Sequence, residues 1–556
     1  MRTLETRNPK TEIRNRPGVV LIAVLVVIVL LGLAAYQYAD LMTAEAKAAD
    51  SAVRARQARA LAASGVYFAA ALLSDKDSYT GRLGSNPFDN AGVFQDVEVT
   101  SSDNPRMHGR FSVVAPLSPD ETSGGATGFR YGVTDEAAMI NLNALLQIDP
   151  SGQVLHDALM KLPNMSEEIA DAIIDWIDPD DDPRANGAES QYYGALTPGY
   201  RCKNGPLDSL EELLLVRGVT PELLFGSDRN RNGVTDAGEA TNAAQPNDRG
   251  WSAYLTVYSR ELNIDSDNQP RTYLNDSDVN AMYDKLSAAV GAEVADFILA
   301  YRLYGAYNPQ SGSGGGGGGG GGSGGGPGGG SNQNVVVNSP SPVQKSQLDM
   351  NRRPQAISSI FALANARVGI PRTETTSTAT TRRLPDGSVI VVTNTSTTTV
   401  TTVYSSPLSD PGKLRQYLPI LLDKFSTRQD TEIPARINVN TASAAVLAVL
   451  PGLDETDVQA IVSKRPAPGA GDSGDPVYQT SAWLLTEANL TPAKLQALER
   501  YVTARPQVFR IQSVGQFERG GPAARIEAVV DTNAGKPRIV YWRNLSELGR
   551  GFDLPR

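Results

Sequence analysis

The residues from Asp228 to Glu239 (the Asp228 loop) have the types and the spacing of a twelve-residue calcium-binding loop. Gly233 stands at the sixth position, where such a loop turns sharply, and the seventh position coordinates through a backbone carbonyl. An Asx-rich loop without a metal would favour the same residue types, so this alternative stays open. The candidate ligands at positions 1, 3, 5, 7, 9 and 12 are Asp228, Asn230, Asn232, Val234, Asp236 and Glu239.

The residues from Asp178 to Glu189 (the Asp178 loop) form a second acidic candidate. Pro183 stands where a calcium loop has glycine, so the loop departs from the ordinary pattern. Carboxylates this dense repel one another unless a cation lies between them. A metal-free acidic loop at a helix C-terminus is the alternative. The candidate calcium ligands are Asp178, Asp180, Asp182 and Glu189, with Asn186 at the ninth position.

Other chemistry has little support in the composition. The chain has one cysteine, Cys202, and two histidines, His108 and His156, and no catalytic motif surrounds either histidine. This excludes a disulfide framework within the chain and a zinc site built mainly of Cys and His. Asp and Glu (61) outnumber Lys and Arg (51), which argues against a protein that mainly neutralises nucleic-acid phosphate. We therefore expect neither an enzyme nor a nucleic-acid partner.

The N-terminus has the features of a membrane anchor. Residues 1–18 are basic, and an uncharged run from Val19 to Ala35 follows. As a helix this run is about 26 Å long, enough to cross a bilayer core. The basic flank places the N-terminus in the cytoplasm and the rest of the chain outside it. Strong helix formers then continue to about Ser74, so the sequence predicts one long helix that is first apolar and then amphipathic.

The rest of the sequence predicts an α+β fold in which a large insertion interrupts one antiparallel sheet. Alternating segments lie in residues 94–134 and 507–543, and we expect them to form one sheet on the N-terminal helix; two separate small β domains are the alternative. The expected parts are a leader (1–18), transmembrane and stalk helix (19–74), first strands (75–140), first helical half of the insertion (141–305), Gly-rich linker (306–345), Thr-rich hairpin region (346–409), second helical half (410–504) and last strands (505–556).

The insertion contains two segments of similar sequence. Ile140-Asn141-Leu142-Asn143 is similar to Ile437-Asn438-Val439-Asn440, and each is followed by a helix, a Leu-Pro pair and a second helix. The second copy resembles a helix-hairpin-helix, with the turn at Pro451, Gly452 and Leu453. Asp454 and Glu455 stand where such a turn would bind phosphate, so we expect a structural or protein-binding hairpin and no DNA contact.

The N-terminal residues resemble a prepilin-peptidase site, in which Gly18 precedes the cleavage point and Val19 becomes the first mature residue. The fifth mature residue is then Ala23, where most of that family has Glu. The subgroup that lacks this Glu is the K-type minor pseudopilin of the type II secretion system (GspK). The Ile-Asn-x-Asn hairpins and Trp176-Ile177-Asp178 extend the resemblance. The family pattern contains neither the Gly-rich linker nor the Thr-rich hairpin.

The resemblance implies a type IV pilin-like helix and sheet, structural Ca²⁺ as the cofactor and a place at the pseudopilus tip. It implies that the chain begins assembly with the I- and J-type minor pseudopilins for protein export across the outer membrane. Further implied partners are the major pseudopilin, prepilin peptidase, the inner membrane and secreted substrates. The expected location is a single pass through the inner membrane, with the bulk of the chain in the periplasm. The alternative is a signal-anchored extracytoplasmic scaffold that binds protein through its hairpins.

Overall fold

The computed structural model describes most of the 556 residues, and the leader and the Gly-rich tract lie outside its described part. The described residues are 17–104, 107–118, 128–234, 236, 239, 249–308, 333–383, 385, 387–466, 475–533 and 535–554.

The helices fall into one long N-terminal helix and many short ones. They are α1 Pro17–Ser74, α2 Lys76–Gly81, α3 Ala91–Phe94, α4 Leu142–Ile148, α5 Gln153–Leu159, α6 Glu167–Ile177, α7 Ser190–Gly194, α8 Pro221–Phe225, α9 Val279–Tyr304, α10 Pro411–Lys424, α11 Ala444–Ala448, α12 Glu455–Lys464, α13 Trp483–Thr486 and α14 Pro492–Leu498. The short 3₁₀ helices are Glu136–Ala138, Leu210–Leu215, Gly250–Ala253, Lys345–Gln347, Ile360–Leu363, Pro407–Ser409, Pro476–Gln479 and Ser546–Leu548.

The strands vary from two to seventeen residues in length. They are β1 Val97–Thr100, β2 Gly109–Pro116, β3 Phe129–Arg130, β4 Thr134–Asp135, β5 Ile140–Asn141, β6 Leu255–Thr256, β7 Glu261–Leu262, β8 Thr272–Tyr273, β9 Gln333–Asn338, β10 Arg367–Arg383, β11 Val389–Ser405, β12 Phe425–Ser426, β13 Glu432–Ile433, β14 Ile437–Asn438, β15 Val502–Thr503, β16 Val508–Phe517, β17 Ala524–Asp531 and β18 Arg538–Asn544.

Helix α1 has two environments along its length. Residues 18–53 are exposed, and the most apolar window of the helix has a mean hydropathy of 3.2, so the helix fits a single-pass membrane anchor by length and composition. Beyond Arg54 the helix turns one face into the core, where Ala58, Ala62 and Val66 are fully buried. The helix therefore changes from an all-apolar surface to an amphipathic one, as its sequence predicts.

The main sheet combines strands from both ends of the chain. Its order is β1-β2-β16-β17-β18, with β3 on β2 and β4 on β16, and every pairing is antiparallel. Helix α1 packs on β2, β16 and β17. The contact is close because glycines face the helix: a Cβ built at Gly515 would overlap the carbonyl oxygen of Ala58 and the backbone nitrogen of Ala62. The prediction of a mixed helix-and-sheet fold is confirmed.

The insertion has one hydrophobic core that its two helical halves share. Leu142, Trp251 and Leu299 from the first half lie in the same cluster as Leu447 and Trp483 from the second. Short strand pairs also join the halves, since β8 pairs with β12 and β7 pairs with β13. The two halves are therefore continuous in space although the Gly-rich tract separates them in sequence.

A long hairpin extends the insertion, as the Thr- and Val-rich sequence predicts. Strands β10 and β11 pair in register from Arg367–Ser405 to Arg383–Val389. Among the described residues, strand β9 adds in parallel to β11 between Thr398 and Val403, and the distal part of the hairpin is a two-stranded ribbon.

Candidate functional site

The Asp178 loop connects two helices of the first half of the insertion. Helix α6 buries most of its residues, is capped by Ser166 at its start and by Asp178 at its end, and α7 begins directly after Glu189. The rings of Trp176 and Tyr193 pack edge to face, with centroids 5.1 Å apart, and so hold the ends of these helices together. The apolar contact brings the two ends of the acidic loop to one place.

Three carboxylates of this loop converge. Asp178, Asp180 and Glu189 each place one carboxylate oxygen within 4.8 Å of the others. Glu189 is only 3% exposed. Neither of its carboxylate oxygens accepts a hydrogen bond from the described residues, and the same holds for Oδ1 of Asp178. Buried carboxylate oxygens without donors are costly, and oxygen donors are the ligands that Ca²⁺ prefers, so this group fits a calcium ion.

The pKa values of Asp178 and Glu189 are raised, as expected for carboxylates that lack a compensating cation. Burial raises the pKa of Asp178 to about 6, and the carboxylates of Asp180 and Asp175 add to the effect. Burial likewise raises the pKa of Glu189 to about 7, with a contribution from the neighbouring carboxylates. Without a metal, the loop therefore favours protons on groups that would be ionised in water.

The remaining candidates of the loop lie outside this group. Asp182 is exposed, and its backbone N–H donates to Asp180 at 3.0 Å. The backbone N–H of Asn186 donates to Asp171 at 3.2 Å. Their assignment as ligands stays a prediction, and the geometry favours Asp178, Asp180 and Glu189. A neighbour that the spacing did not single out is Cys202, whose pKa burial raises to about 12 and whose thiol is therefore inert.

The pH dependence of calcium binding follows from the raised pKa values. We expect the affinity to fall as the pH is lowered from 8 to 5.5, because protons compete with calcium at Asp178 and Glu189. Without metal the sign reverses: folded pKa values above the unfolded ones mean that the free energy of unfolding decreases as the pH rises from about 4.5 to 7. The midpoint of thermal unfolding, measured from pH 4.5 to 8 in chelator and in saturating calcium, checks both trends. If the midpoint changes with pH in the same way under both conditions, the prediction is wrong.

The Asp228 loop has the internal hydrogen bonds of a tight cradle. The Asp228 carboxylate accepts from the backbone N–H groups of Asn232 (3.1 Å) and Gly233 (2.7 Å). The Glu239 carboxylate accepts from the N–H groups of Arg229 (3.0 Å) and Asn230 (3.1 Å), at the other end of the loop. Asp228, Asn232 and Glu239 are buried. The candidate ligands at positions 1, 5 and 12 thus point inward.

A buried arginine of the sheet lies against this loop. Arg525 of β17 is fully buried, and its guanidinium donates to the carbonyl oxygen of Asn230. Burial lowers its pKa, while the charges of Glu527 and of Asp228, Asp236 and Glu239 raise it. Sequence reasoning missed Arg525, because it lies 295 residues from Asn230 along the chain. Its charge offsets part of the loop's negative charge, so we expect this loop to bind calcium more weakly than the Asp178 loop.

The other candidate ligands of the Asp228 loop are joined by hydrogen bonds from side-chain amides. The side-chain amides of Asn230 (2.5 Å) and Asn232 (3.1 Å) both donate to Asp236. The N–H of Val234 donates to the side chain of Asn232 at 2.7 Å. The amides would have to turn their oxygens inward to bind a cation. Among the described residues, the carboxylates of this loop do not form a group of three as close as that of the Asp178 loop.

The substitution Glu239→Gln tests the twelfth position. Glutamine keeps one acceptor oxygen for the Arg229 and Asn230 N–H groups but loses the acceptor of the Asp236 N–H (3.2 Å), so we expect a loss of about 1–2 kcal/mol in chelator. In calcium the loss should be larger, because a bidentate ligand is removed. The midpoint of thermal unfolding in chelator and in 10 mM calcium measures the difference. An equal loss in both would rule out Glu239 as a ligand.

The hairpin turn at Pro451, Gly452 and Leu453 leads into α12. Gly452 adopts a φ of +82°, and Asp454 caps α12 through a capping box with Asp457. Both carboxylates pair with Lys494, at 2.9 and 2.5 Å. Carboxylates paired with Lys494 therefore lie at the start of this helix, where a DNA-binding hairpin would hold phosphate.

The N-terminal residues of α1 place Gly18 and Val19 on an open surface. Both are exposed, and a Cβ built at Gly18 would meet no atom within 4 Å. The leader residues 1–16 lie outside the described residues.

Two segments of the chain match profiles of one known family. Residues 138–225 and 437–483 match "Type II secretion system (T2SS), protein K". The first segment contains the Asp178 loop and the first Ile-Asn motif, and the second contains the other Ile-Asn motif and its hairpin. The matches thus fall on the residues that carry the resemblance in the sequence.

Individual relatives agree with the profiles. The chain is 37% identical over 102 residues to type II secretion system protein K of Klebsiella pneumoniae (16% of this chain, 31% of the relative). It is 30% identical over 111 residues to the Pectobacterium carotovorum protein K (20% and 33%). It is 32% identical over 105 residues to the putative protein K of Escherichia coli K12 (17% and 32%). The chain thus spans about a third of the length of the curated relatives it matches.

A solved structure was also found, that of the GspK-GspI-GspJ complex of the enterotoxigenic Escherichia coli type 2 secretion system. The TM-score is 0.34 at 12% identity, covering 90% of this chain and 98% of the other. This likeness is too low to carry an argument, and the assignment depends on the sequence matches. Over these two segments, the chain is similar to the type II secretion system protein K family.

Proposed function

We propose that this chain is a minor pseudopilin that caps the tip of the type II secretion pseudopilus and begins its assembly. The observation that carries the proposal is helix α1: its exposed apolar half fits a membrane anchor, and its second half packs on a sheet. A helix with these two halves suits a subunit that is first anchored in the membrane and later leaves it, when its helix packs against the helices of neighbouring subunits in a filament. Ala23 lacks the carboxylate that would pair with the N-terminal amine of a subunit above.

The insertion supports a place at the end of the filament. Its core contains residues from both helical halves, and it joins the sheet between β4 and β16. A body of this size beside a pilin-like sheet would obstruct a subunit placed above it. The Asp178 loop, and more weakly the Asp228 loop, would hold structural calcium in this body.

We infer that the partners are the I- and J-type minor pseudopilins, and that the bulk of the chain lies in the periplasm. The solved GspK-GspI-GspJ complex is that of another protein, and the inference for this chain depends on its two protein K segments and on helix α1. Processing by prepilin peptidase at Gly18–Val19 would release the mature N-terminus for assembly.

Coexpression with the I- and J-type subunits of the same organism tests the proposal. We expect the full chain to copurify with both from detergent-solubilised membranes in calcium and to remain bound at micromolar concentration. The matched control replaces the I-type subunit with an unrelated single-pass protein of similar length. Failure to form the complex in calcium, from a chain that is folded by its thermal transition, would contradict the proposal.

A further inference from the structure

Four arginines line a cleft at the junction of the two helical halves of the insertion (the arginine cleft). The cleft has a volume of about 170 Å³, and Ser426, Thr427 and Gln496 also line it. One arginine comes from the first half and three from the second. They are Arg271, Arg428, Arg436 and Arg500.

Two carboxylates lie beside the inner part of the cleft, and only Glu261 pairs with its arginines. Glu261 binds the guanidinium of Arg436 through both of its oxygens, one of them at 2.9 Å, and lies 3.9 Å from Arg271. Glu499 accepts from the backbone N–H of Ile360 at 3.0 Å and from the hydroxyl of Ser359. Glu499 is thus turned toward backbone and hydroxyl donors and forms no ion pair within 4.0 Å with a described arginine.

The outer two arginines have no such partner. Neither Arg428 nor Arg500 has a carboxylate oxygen within 4.0 Å among the described residues. Arg428 interacts electrostatically with Glu499, and Arg500 with Asp149, but both interactions act at longer range than an ion pair. Four cations against Glu261 and Glu499 leave an excess of two positive charges at the cleft, in a chain whose net charge is −10.

The inner cations also repel each other. Burial lowers the pKa of Arg271 to about 10, and the neighbouring charge of Arg436 adds to this effect. Clefts lined by one sign of charge concentrate counter-ions, and guanidinium groups match the geometry of anionic oxygens. An anion in the cleft would relieve this repulsion.

We propose that the arginine cleft binds a small oxyanion of the size of phosphate or sulfate. Arg428 and Arg500 would supply the unpaired donors at the mouth, with the cations of Arg271 and Arg436 behind them. Arg271 directly precedes β8, which pairs with β12, and Arg428 follows β12, so the anion would bridge the two halves of the insertion. The volume is too small for a folded partner and suits a free ion.

Isothermal calorimetry on the full chain in detergent micelles tests this inference, with inorganic phosphate as the probe. We expect saturable binding, displacement by sulfate but not by chloride at equal ionic strength, and at least tenfold weaker binding by the double variant Arg428→Gln, Arg500→Gln. The control Arg353→Gln, Arg519→Gln removes the same charge at exposed positions and should bind as the wild type does.

A second readout separates site binding from the general stabilisation of proteins by phosphate and sulfate. Phosphate at 10 mM should raise the thermal midpoint of the wild type and the control by at least 2 °C more than that of the double variant. Equal binding and equal thermal shifts in all three proteins, or no saturable heat in the wild type, would overturn the inference.

Discussion

The substitution Gly515→Val is expected to loosen helix α1 from the sheet and to lower the midpoint of thermal unfolding by about 6–12 °C. The valine Cβ would overlap backbone atoms of Ala58 and Ala62, which cannot move without displacing the helix. Overpacking costs about 1–3 kcal/mol, and a clash with backbone lies at the upper end. A loss of about 3 kcal/mol lowers the midpoint of a domain of roughly 200 residues by this amount. Circular dichroism of the full chain in micelles measures it.

Gly194→Ala is the matched control. Gly194 lies in α7, and a Cβ built there would meet no atom within 4 Å. Alanine also favours the helix, so the midpoint should stay equal to that of the wild type or rise slightly. If Gly515→Val unfolds at the wild-type temperature, the close packing of α1 on β16 is wrong, and with it the pilin-like form of this part of the chain.

Calcium is expected to raise the thermal midpoint of the full chain in a way that depends on Asp178 and Glu189. For a dissociation constant of about 10⁻⁴ M, 10 mM calcium adds about 2.7 kcal/mol to the free energy of unfolding. This corresponds to a rise of roughly 5–10 °C relative to chelator. The double variant Asp178→Asn, Glu189→Gln should lose most of the rise, because two of the three converging carboxylates are removed.

Asp182→Asn separates this geometry from the regular spacing of a calcium loop. Asp182 lies four residues after Asp178 but is exposed and outside the converging group. The variant should therefore keep the calcium-dependent rise, although it removes one negative charge from the same loop. A loss of the rise in Asp182→Asn together with its persistence in the double variant would show that the ligands are assigned to the wrong carboxylates.

The sequence predicted the long elements well because their patterns are strong. The helix to Ser74 follows from an uninterrupted run of helix formers, and the hairpin at residues 367–405 follows from β-branched residues on both sides of a turn. Short segments are harder to predict. The leucine-rich run Leu210–Leu215 forms a 3₁₀ helix, and α14 ends at Leu498, shortly before Val502 and Thr503 pair with β14.

The sequence predicted only part of the candidate metal site, because local spacing shows less than the packing of the whole chain. Ligand spacing identifies which residues of one loop can converge, and it gave Asp178, Asp180 and Glu189. It could not show that Asp182 is exposed and lies outside this group, because spacing alone does not fix the course of the backbone beside Pro183. Nor could it show Arg525, whose contact with the Asp228 loop depends on how the insertion packs against the sheet.

The most direct test of the proposed pseudopilin is the N-terminus of the chain isolated from native membranes. Intact-mass measurement with N-terminal sequencing should find a chain that begins at Val19, with a methylated amine, and Gly18→Val should leave the leader in place. This result would show processing by prepilin peptidase. A wild-type chain that begins at Met1, with residues 1–18 retained, would contradict the proposal and indicate a signal-anchored scaffold.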